Sequence, residues 1–439
     1  MTAPAAAVLA LILSATLAVK AAGQTPQEPR SSDWLSLLPE GEAKRKFVLD
    51  CTGCHQFDEK IALKNGRPRT ESEWAEAVSR MLGYAGATTS FPVIAADRDA
   101  RATAAWLARH LAGKKARRLA HGSAGKESVT EFLLPDPKDL PHDLAVEPSG
   151  SILVTGMFTH RLYRLDSRAG RWSEIAIPVP EANPRALELD TRGRSWVVFG
   201  QPQRLAVMAG DTAWRSFHVG MYPHSLALSA GGKVWFNGHF THSPELIGSV
   251  DSESGQVETY EVPPHPKLGS GPGGPIPYEI RVGPDGLIWG SELQGNRIFS
   301  FDPRSKRFDV FPLPRSHSGP RRFDVDRQGI VWIPAYAANR LIRFDSKSRR
   351  FQEIRLPISD AVPYIVRVDQ QSGALWIGTA AADALLRYDP VDGRFQVYNL
   401  PSRGALIRHL AIDTLGGAVW AAYGAVPGIP ARIARLNVR

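Results

Sequence analysis

The chain has 439 residues, 43% hydrophobic and 22% charged, which is enough to bury the cores of two domains and too apolar for a disordered chain. Its formal net charge is +9, with the basic residues spread along the chain. No stripe of aromatic and basic residues of the RNA-binding kind occurs, so nucleic acid is not an expected partner, whereas an acidic protein is compatible with the charge.

Residues 5–19 are almost wholly apolar or small, and small Ala21 and Ala22 precede the polar stretch from Gln24 to Arg30. This reads as a signal peptide over 1–23, although its amino end lacks Lys or Arg. The apolar run is short for a membrane span, and an uncleaved anchor is the alternative. The expectation is a periplasmic or secreted protein with no membrane span after signal cleavage.

The two cysteines, Cys51 and Cys54, stand in CTGCH with His55 directly after them. Covalent haem attachment needs two thiols that reach both vinyl groups of one porphyrin, and an imidazole that binds the iron from the same turn. This spacing meets both needs. The competing readings are a disulfide, a thioredoxin-type pair and a zinc site. The flanks show no βαβ pattern for the second, and no further cysteine pair exists for the third.

The residues before the motif, EAKRKFVLD from Glu42 to Asp50, predict a helix with Phe47 and Val48 available for burial. A second helix is predicted over 95–111, its stripe running through Ala100, Ala104, Leu107 and Leu111 with Trp106 beside it. Helix, CxxCH, middle segment and aromatic-bearing last helix resemble the small c-type cytochromes, over residues 31–115. That resemblance implies one covalent haem c held by Cys51 and Cys54, with His55 as the proximal iron ligand. It also implies a distal Met or His. Met81 is the one methionine in this stretch, and EWAEAVSRMLGYAGA around it resembles the Trp-to-Met stretch of periplasmic cytochrome domains fused to oxidoreductases. The alternative is that Met81 belongs to a helix core with Trp74 and Val78, which leaves His110 as the distal candidate. Arg67 and Arg69 are either surface residues or partners of the haem propionates.

From residue 128 to 439 the chain repeats itself. Pro277, Pro320 and Pro363 open successive copies 43 residues apart, and earlier copies open at Pro141, Pro184 and Pro223, with a last one near Ile407. Each reads as four short strands, with Trp235, Trp289, Trp332, Trp376 and Trp420 aligned. Seven such units predict a seven-bladed β-propeller. The last unit lacks a fourth strand, and SVTEFLLP, residues 128–135, has the pattern to supply it and close the ring. The fold class expected is therefore multidomain, a small all-α cytochrome c domain followed by an all-β propeller. A basic linker, 113–127, is expected between them as a flexible joint.

The Pro starts, Trp-centred strands and N-R-[IL]-x-x-[FY]-D turns resemble the virginiamycin B lyase (streptogramin lyase) propeller. In that family the chemistry uses a His after the opening residue of each of the last two blades, a Glu before the second, a further Glu in that blade, and Mg²⁺. Here Tyr364 and Arg408 stand at the two His places and Leu406 at the first Glu place, so the resemblance carries no catalytic residue to this chain.

The position after each opening residue is expected on the channel rim: His142, Arg185, His224, Tyr278, Arg321, Tyr364 and Arg408. His160, His239 and His242 are expected on the same side, and Glu292 follows the Trp strand of the fourth unit. One reading gathers His142, His224, His160 and His242 with Glu292 into a divalent-metal or acid/base site, with His142, His224 and Glu292 as catalytic candidates. The others are separate polar residues on a wet rim, or an anion held by Arg185, Arg321 and Arg408. The third unit is longer by about eleven residues, and its Gly/Pro-rich text is expected to form a loop over the rim. The function expected is electron transfer to a redox partner protein, with the propeller as a docking or ligand-binding platform. The alternatives are an oxidoreductase whose propeller binds a small-molecule substrate, a streptogramin-type lyase, and a pure interaction module that senses redox state.

Overall fold

Capping residues set the helices of the amino-terminal part. In the computed structural model, which describes residues 28–121, 128–239, 243–269, 271–425 and 429–438, these are α1 (Ser31–Leu35), α2 (Glu42–Cys51), α3 (Glu59–Ala62), α4 (Glu71–Ala85) and α5 (Ala100–Leu111). The signal-peptide stretch, residues 122–127 of the linker and His242 lie outside the described residues. Thr70 and Glu73 form a reciprocal capping box at the start of α4. The Asp99 carboxylate accepts the Ala102 N–H and starts α5 at Ala100, five residues later than the apolar spacing predicts. Phe47 and Val48 of α2, Trp74 and Val78 of α4, and Leu107 and Leu111 of α5 are buried in one cluster.

From Val129 onward, seven four-stranded antiparallel sheets follow. The inner strands of blades one to four are Pro141–Val146, Pro184–Leu189, Pro223–Leu228 and Pro277–Val282. Those of blades six and seven are Pro363–Val368 and Ile407–Asp413. Blade five differs: its inner strand shrinks to Asp324–Val325, because Arg322 bonds instead to the backbone of Tyr364 and Val366 in blade six. Blade seven takes its outer strand from Val129–Leu133, paired in register from Val129↔Leu436 to Leu133↔Arg432. The closure expected from the sequence is present, and it covers the edge that blade seven would otherwise expose.

Three of the five aligned tryptophans join one blade to the next. Trp235 meets Phe301 at 5.8 Å, Trp289 meets Phe344 at 5.9 Å and Trp332 meets Tyr388 at 6.2 Å, each partner lying on the following blade. The Asn of the N-R-[IL] turns has a second joining role. Asn296 and Asn339 adopt positive φ, 53° and 51°, and their side-chain oxygens accept the N–H of Ser318 and Val362, which lead into the next blade.

The helical part sits on the face of the propeller where the inner strands begin. Ser32 N–H donates to Ala381 O at 2.9 Å, Gln56 Nε2 to Ala380 O at 2.8 Å and Gln294 Nε2 to Asp50 Oδ1 at 2.7 Å. Lys44 pairs with Asp360 at 2.7 Å. One apolar cluster runs from Trp34 and Leu49 into Leu293, Tyr336, Val362 and Leu406. The long loop of blade three reaches this part as well: a Cβ on Gly273 would lie 2.9 Å from Ala87 Cβ, in the segment between α4 and α5. The linker corrects its expectation. Ala116 is buried, and Leu119 N–H reaches Asp33 Oδ1, so its described portion is docked. No helix among the described residues is long and apolar enough to cross a membrane.

Candidate functional site

Cys51 ends α2, and Cys54 and His55 follow in the turn beneath it. Both cysteines are free and half-buried. Desolvation pushes the Cys51 thiol up to about 12, helped by the neighbouring Asp50 carboxylate. It also raises Cys54, against the opposing charges of Arg408, Arg321 and Arg185. Protonated, desolvated thiols are not the low-pKa nucleophiles of thiol–disulfide exchange. His55 Nδ1 lies 3.0 Å from Gln56 O. A carbonyl only accepts, so Nδ1 carries the proton and Nε2 keeps its lone pair for a metal. Two alkylatable thiols and an oriented imidazole fit the bonds that haem c requires.

Met81 lies on α4 one turn beyond buried Val78 and one turn before buried Ala85, yet is itself half-buried. The His110 ring packs edge-on to Trp106 at 5.5 Å. Arg67 is committed to Glu73 by two hydrogen bonds of 2.8 Å, and Arg69 donates to Ile61 O and lies over Trp74.

The propeller channel is built by a repeated irregularity. In blades one to four, register shifts between the opening Pro and the residue three later, and a similar shift opens blades six and seven. Each bulge frees two successive residues from the two-residue alternation of a strand. The second residue's N–H is then met by a side chain of the neighbouring strand: Asp143 by Thr155, Ser225 by Asn237, Glu279 by Ser291.

The first residues form the rim, and they are buried, not wet, because the helical part covers them. His142 and His224 lie 5.3 Å apart between ring centres, His224 and His239 4.2 Å, and His224 and Tyr278 4.6 Å. Tyr278 and Tyr364 share a 2.5 Å hydrogen bond, and Arg321 donates to Tyr278 Oη at 2.7 Å. The rim touches the CTGCH turn directly: Tyr336 Oη donates to Thr52 O at 2.7 Å, and Arg408 donates to Gly53 O and Cys54 O.

Deeper in the channel are groups whose role periodicity concealed. Arg322 pairs with Asp143 at 2.7 Å, Arg367 and Arg281 pair with Glu279 at 3.0 and 2.8 Å, and Arg281 also pairs with Glu188. His409 Nε2 lies 3.3 Å from Asp143. Asp143, Glu279, Arg322 and His409 stand two places after an opening residue and Glu188, Arg281 and Arg367 four places after, positions that strand alternation assigns to the face opposite the rim residues.

Two expectations about the histidine site are corrected. Glu292 does not face His142 or His224. It is fully buried in a bidentate pair with Arg297 in blade four, at 2.6 and 2.8 Å, and the carboxylate beside His142 is Asp143. His160 occupies the place of the turn Asn in blade one: its φ is 59°, and its Nδ1 accepts the Asn183 N–H at 3.0 Å. Among the described residues no three His, Cys, Asp or Glu side chains form a metal-holding group. Arg322, 3.1 Å from His142, places positive charge where a dication would bind.

Burial, with Arg322 next, depresses His142 to about 3, and burial holds His224, His239 and His409 well below the usual 6.5. The unfolded chain takes up these protons near 6.5 and the folded one does not. Stability from these groups is therefore complete above that pH and falls as the solution is acidified through the window toward 3. Urea midpoints followed by near-UV circular dichroism should drop steadily from pH 7 to pH 5, and His224→Asn should flatten the slope. A slope unchanged by that substitution would contradict the assignment.

Residues 267–433 match the model of the virginiamycin B lyase family. No curated protein matches the chain. Among solved structures, selenomethionine-substituted virginiamycin B lyase from Staphylococcus aureus is 19% identical with a TM-score of 0.62, covering 72% of this chain and 100% of that one. A streptogramin B lyase gives 20%, 0.62, 71% and 98% for the same measures. Kuenenia stuttgartiensis hydrazine synthase gives 14%, 0.53, 66% and 94%. At such identities the likeness is one of fold, and what it establishes is a virginiamycin B lyase-like seven-bladed propeller.

Proposed function

We propose that this chain is an exported haem c protein that exchanges electrons with a partner, and that residues 31–115 are its cytochrome c domain. The observation that carries the proposal is the donor set in one turn: free Cys51 and Cys54, and His55 with its Nδ1 proton tied to Gln56 O. A haem bound there supplies a one-electron iron couple. The protein's own part is to hold the imidazole in one tautomer, keep the thiols desolvated, and brace the turn against the propeller through Tyr336 and Arg408. The surplus of positive charge favours an acidic redox partner in the periplasm or outside the cell. Protein purified from a host competent in cytochrome maturation should show a Soret band and a mass raised by one haem. Bare polypeptide mass from such a host would refute the reading.

The distal ligand is proposed to be Met81. Met81→Ala should keep the covalent haem, lose the sulfur–iron charge-transfer band and lower the midpoint potential. An unchanged band and potential would move the assignment to another residue, His110 first.

A second reading, an oxidoreductase whose propeller binds the substrate, is favoured by one observation. The buried His142–His224 pair lies on the same rim that the CTGCH turn touches through Arg408. Streptogramin-type lyase chemistry has less support. Tyr364, Arg408 and Leu406 replace its catalytic positions, all three are buried, and Arg408 is engaged with the turn.

A further inference from the structure

Blade six offers two successive carbonyls to the helical part. After its second strand, Leu375–Thr379, the chain turns through Ala380 and Ala381, which are buried. Their N–H groups bond back to Val362 O and Ala361 O at 2.8 and 3.1 Å, so the turn is fixed within the propeller. Their carbonyls serve the helical part. Ala380 O accepts from Gln56 Nε2 at 2.8 Å, and Ala381 O accepts the Ser32 N–H at 2.9 Å.

These two bonds converge on one peptide unit. Gln56 is buried, and its amide nitrogen also donates to Asp383 Oδ1 at 3.2 Å, so both of its N–H bonds end on blade six. Ser31 is buried next to Ser32, and its Oγ accepts the Phe57 N–H at 3.0 Å. The Gln56 carbonyl and the Phe57 N–H belong to one planar group and point to opposite sides of it. A fixed partner for the N–H therefore fixes the direction of the carbonyl, and the Gln56 side chain fixes its place. Phe57 is buried with its ring edge-on to Phe47 at 5.2 Å, which opposes rotation of the unit. The carbonyl so held is the acceptor of the His55 Nδ1 proton at 3.0 Å.

In a free turn such a carbonyl is a mobile acceptor, because two soft backbone dihedrals swing it off the ring. Here that freedom is removed by a carbonyl 324 residues further along the chain. An imidazole whose Nδ1–H has a fixed acceptor keeps one tautomer, with Nε2 as the metal-binding atom, and the bond raises its basicity.

We propose that blade six is the outer support of the proximal imidazole, with Gln56 and Ser31 as positioning residues that hold the carbonyl against His55 Nδ1–H. What the imidazole binds rests on the haem reading above, whereas the support rests on the hydrogen bonds. A more basic imidazole favours ferric over ferrous iron, so the propeller lowers the midpoint potential through these bonds.

The test uses the full chain, haem-free and haem-loaded, with Gln56→Leu, Ser31→Ala and a control at the same seam. The control is Asp360→Asn, which removes a partner of Lys44 and touches neither anchor. Nitrogen NMR of the haem-free, histidine-labelled chain is recorded above the ordinary imidazole pKa, the His55 signal being assigned by its loss in His55→Gln. His55 should carry its proton on Nδ1 alone. Gln56→Leu and Ser31→Ala should each populate the Nε2–H tautomer, and Asp360→Asn should not. In the loaded chain the first two should raise the midpoint potential and the control should leave it in place. Ser31→Ala removes a single hydroxyl and covers the case in which Gln56→Leu fails to fold. A proton on Nε2 in the native haem-free chain overturns the support. So do tautomers unchanged in both variants, or a potential that moves no further than in Asp360→Asn. Soret absorbance and mass report loading separately. A chain that takes up no haem ends the haem reading, and the nitrogen spectrum of the haem-free chain still decides whether blade six holds the ring.

Discussion

Cys54→Ala should yield a folded protein that has lost most of its covalent haem. Cys54 is half-buried above the rim, and its carbonyl, not its sulfur, takes the hydrogen bond from Arg408. Trimming the side chain to a methyl removes little packing and leaves that bond in place, so the cost to the fold is about 1 kcal/mol. The turn keeps its shape through the bonds of Thr52 to Val48 O and of Gln56 to Ala380 O, neither of which involves sulfur. What disappears is one of the two thiols that would form thioethers, so the far-UV spectrum should be unchanged while Soret absorbance per polypeptide collapses. Full loading with the complete mass increase in Cys54→Ala would mean that the second thiol does not hold the porphyrin. Loss of haem together with loss of fold would make Cys54 a structural residue.

Much of the architecture was legible because it repeats. A period of 43 residues, with Trp on one strand and Asn at one turn, is a pattern that packing between blades favours, since Trp235, Trp289 and Trp332 each meet an aromatic ring on the next blade. Ring closure was legible for the same reason, as a missing fourth strand at one end and a spare one at the other. The site was legible only in part. The rim positions were found because they follow the opening residue of each unit, but Asp143, Glu279 and His409 were missed because a bulge overrides the two-residue period on which strand reading depends, and Arg322 because its backbone pairs with blade six instead of its own blade. His160 misled because a left-handed turn position accepts a His as readily as the usual Asn, and the residue type alone does not separate a ligand from a turn acceptor. The docked linker escaped notice because the strand-start face that receives it comes from loops far apart in sequence. Its Ala116 packs in the same cluster as Ala381 and Leu406.

Arg322→Leu should destabilise the propeller by about 3–5 kcal/mol at neutral pH, the range found when one partner of a buried ion pair is removed. Arg322 is 1% exposed, donates to Asp143 at 2.7 Å, and lies 4.0 Å from Glu279. Burial alone would raise the Asp143 carboxyl, but Arg322 and then His409 hold it well below the usual 3.8, so in the native chain its contribution is present above that pH and is lost on acidification. Without Arg322 the sign reverses. An unpaired buried carboxylate has a folded pKa above its unfolded value, and its contribution is lost as pH rises through that pKa. The deficit of the variant should therefore be largest near pH 7 and shrink toward pH 5, and adding Asp143→Asn should recover part of it by removing the stranded charge. Urea midpoints of the two variants at both pH values decide the matter. A deficit under about 1 kcal/mol that does not change with pH would mean that water reaches Asp143 and that the channel below the rim is not dry. A large, pH-dependent deficit would mean that buried charge here survives only when paired. The same requirement would then apply to Arg185, Arg321 and Arg408 on the rim, whose side-chain partners among the described residues are neutral.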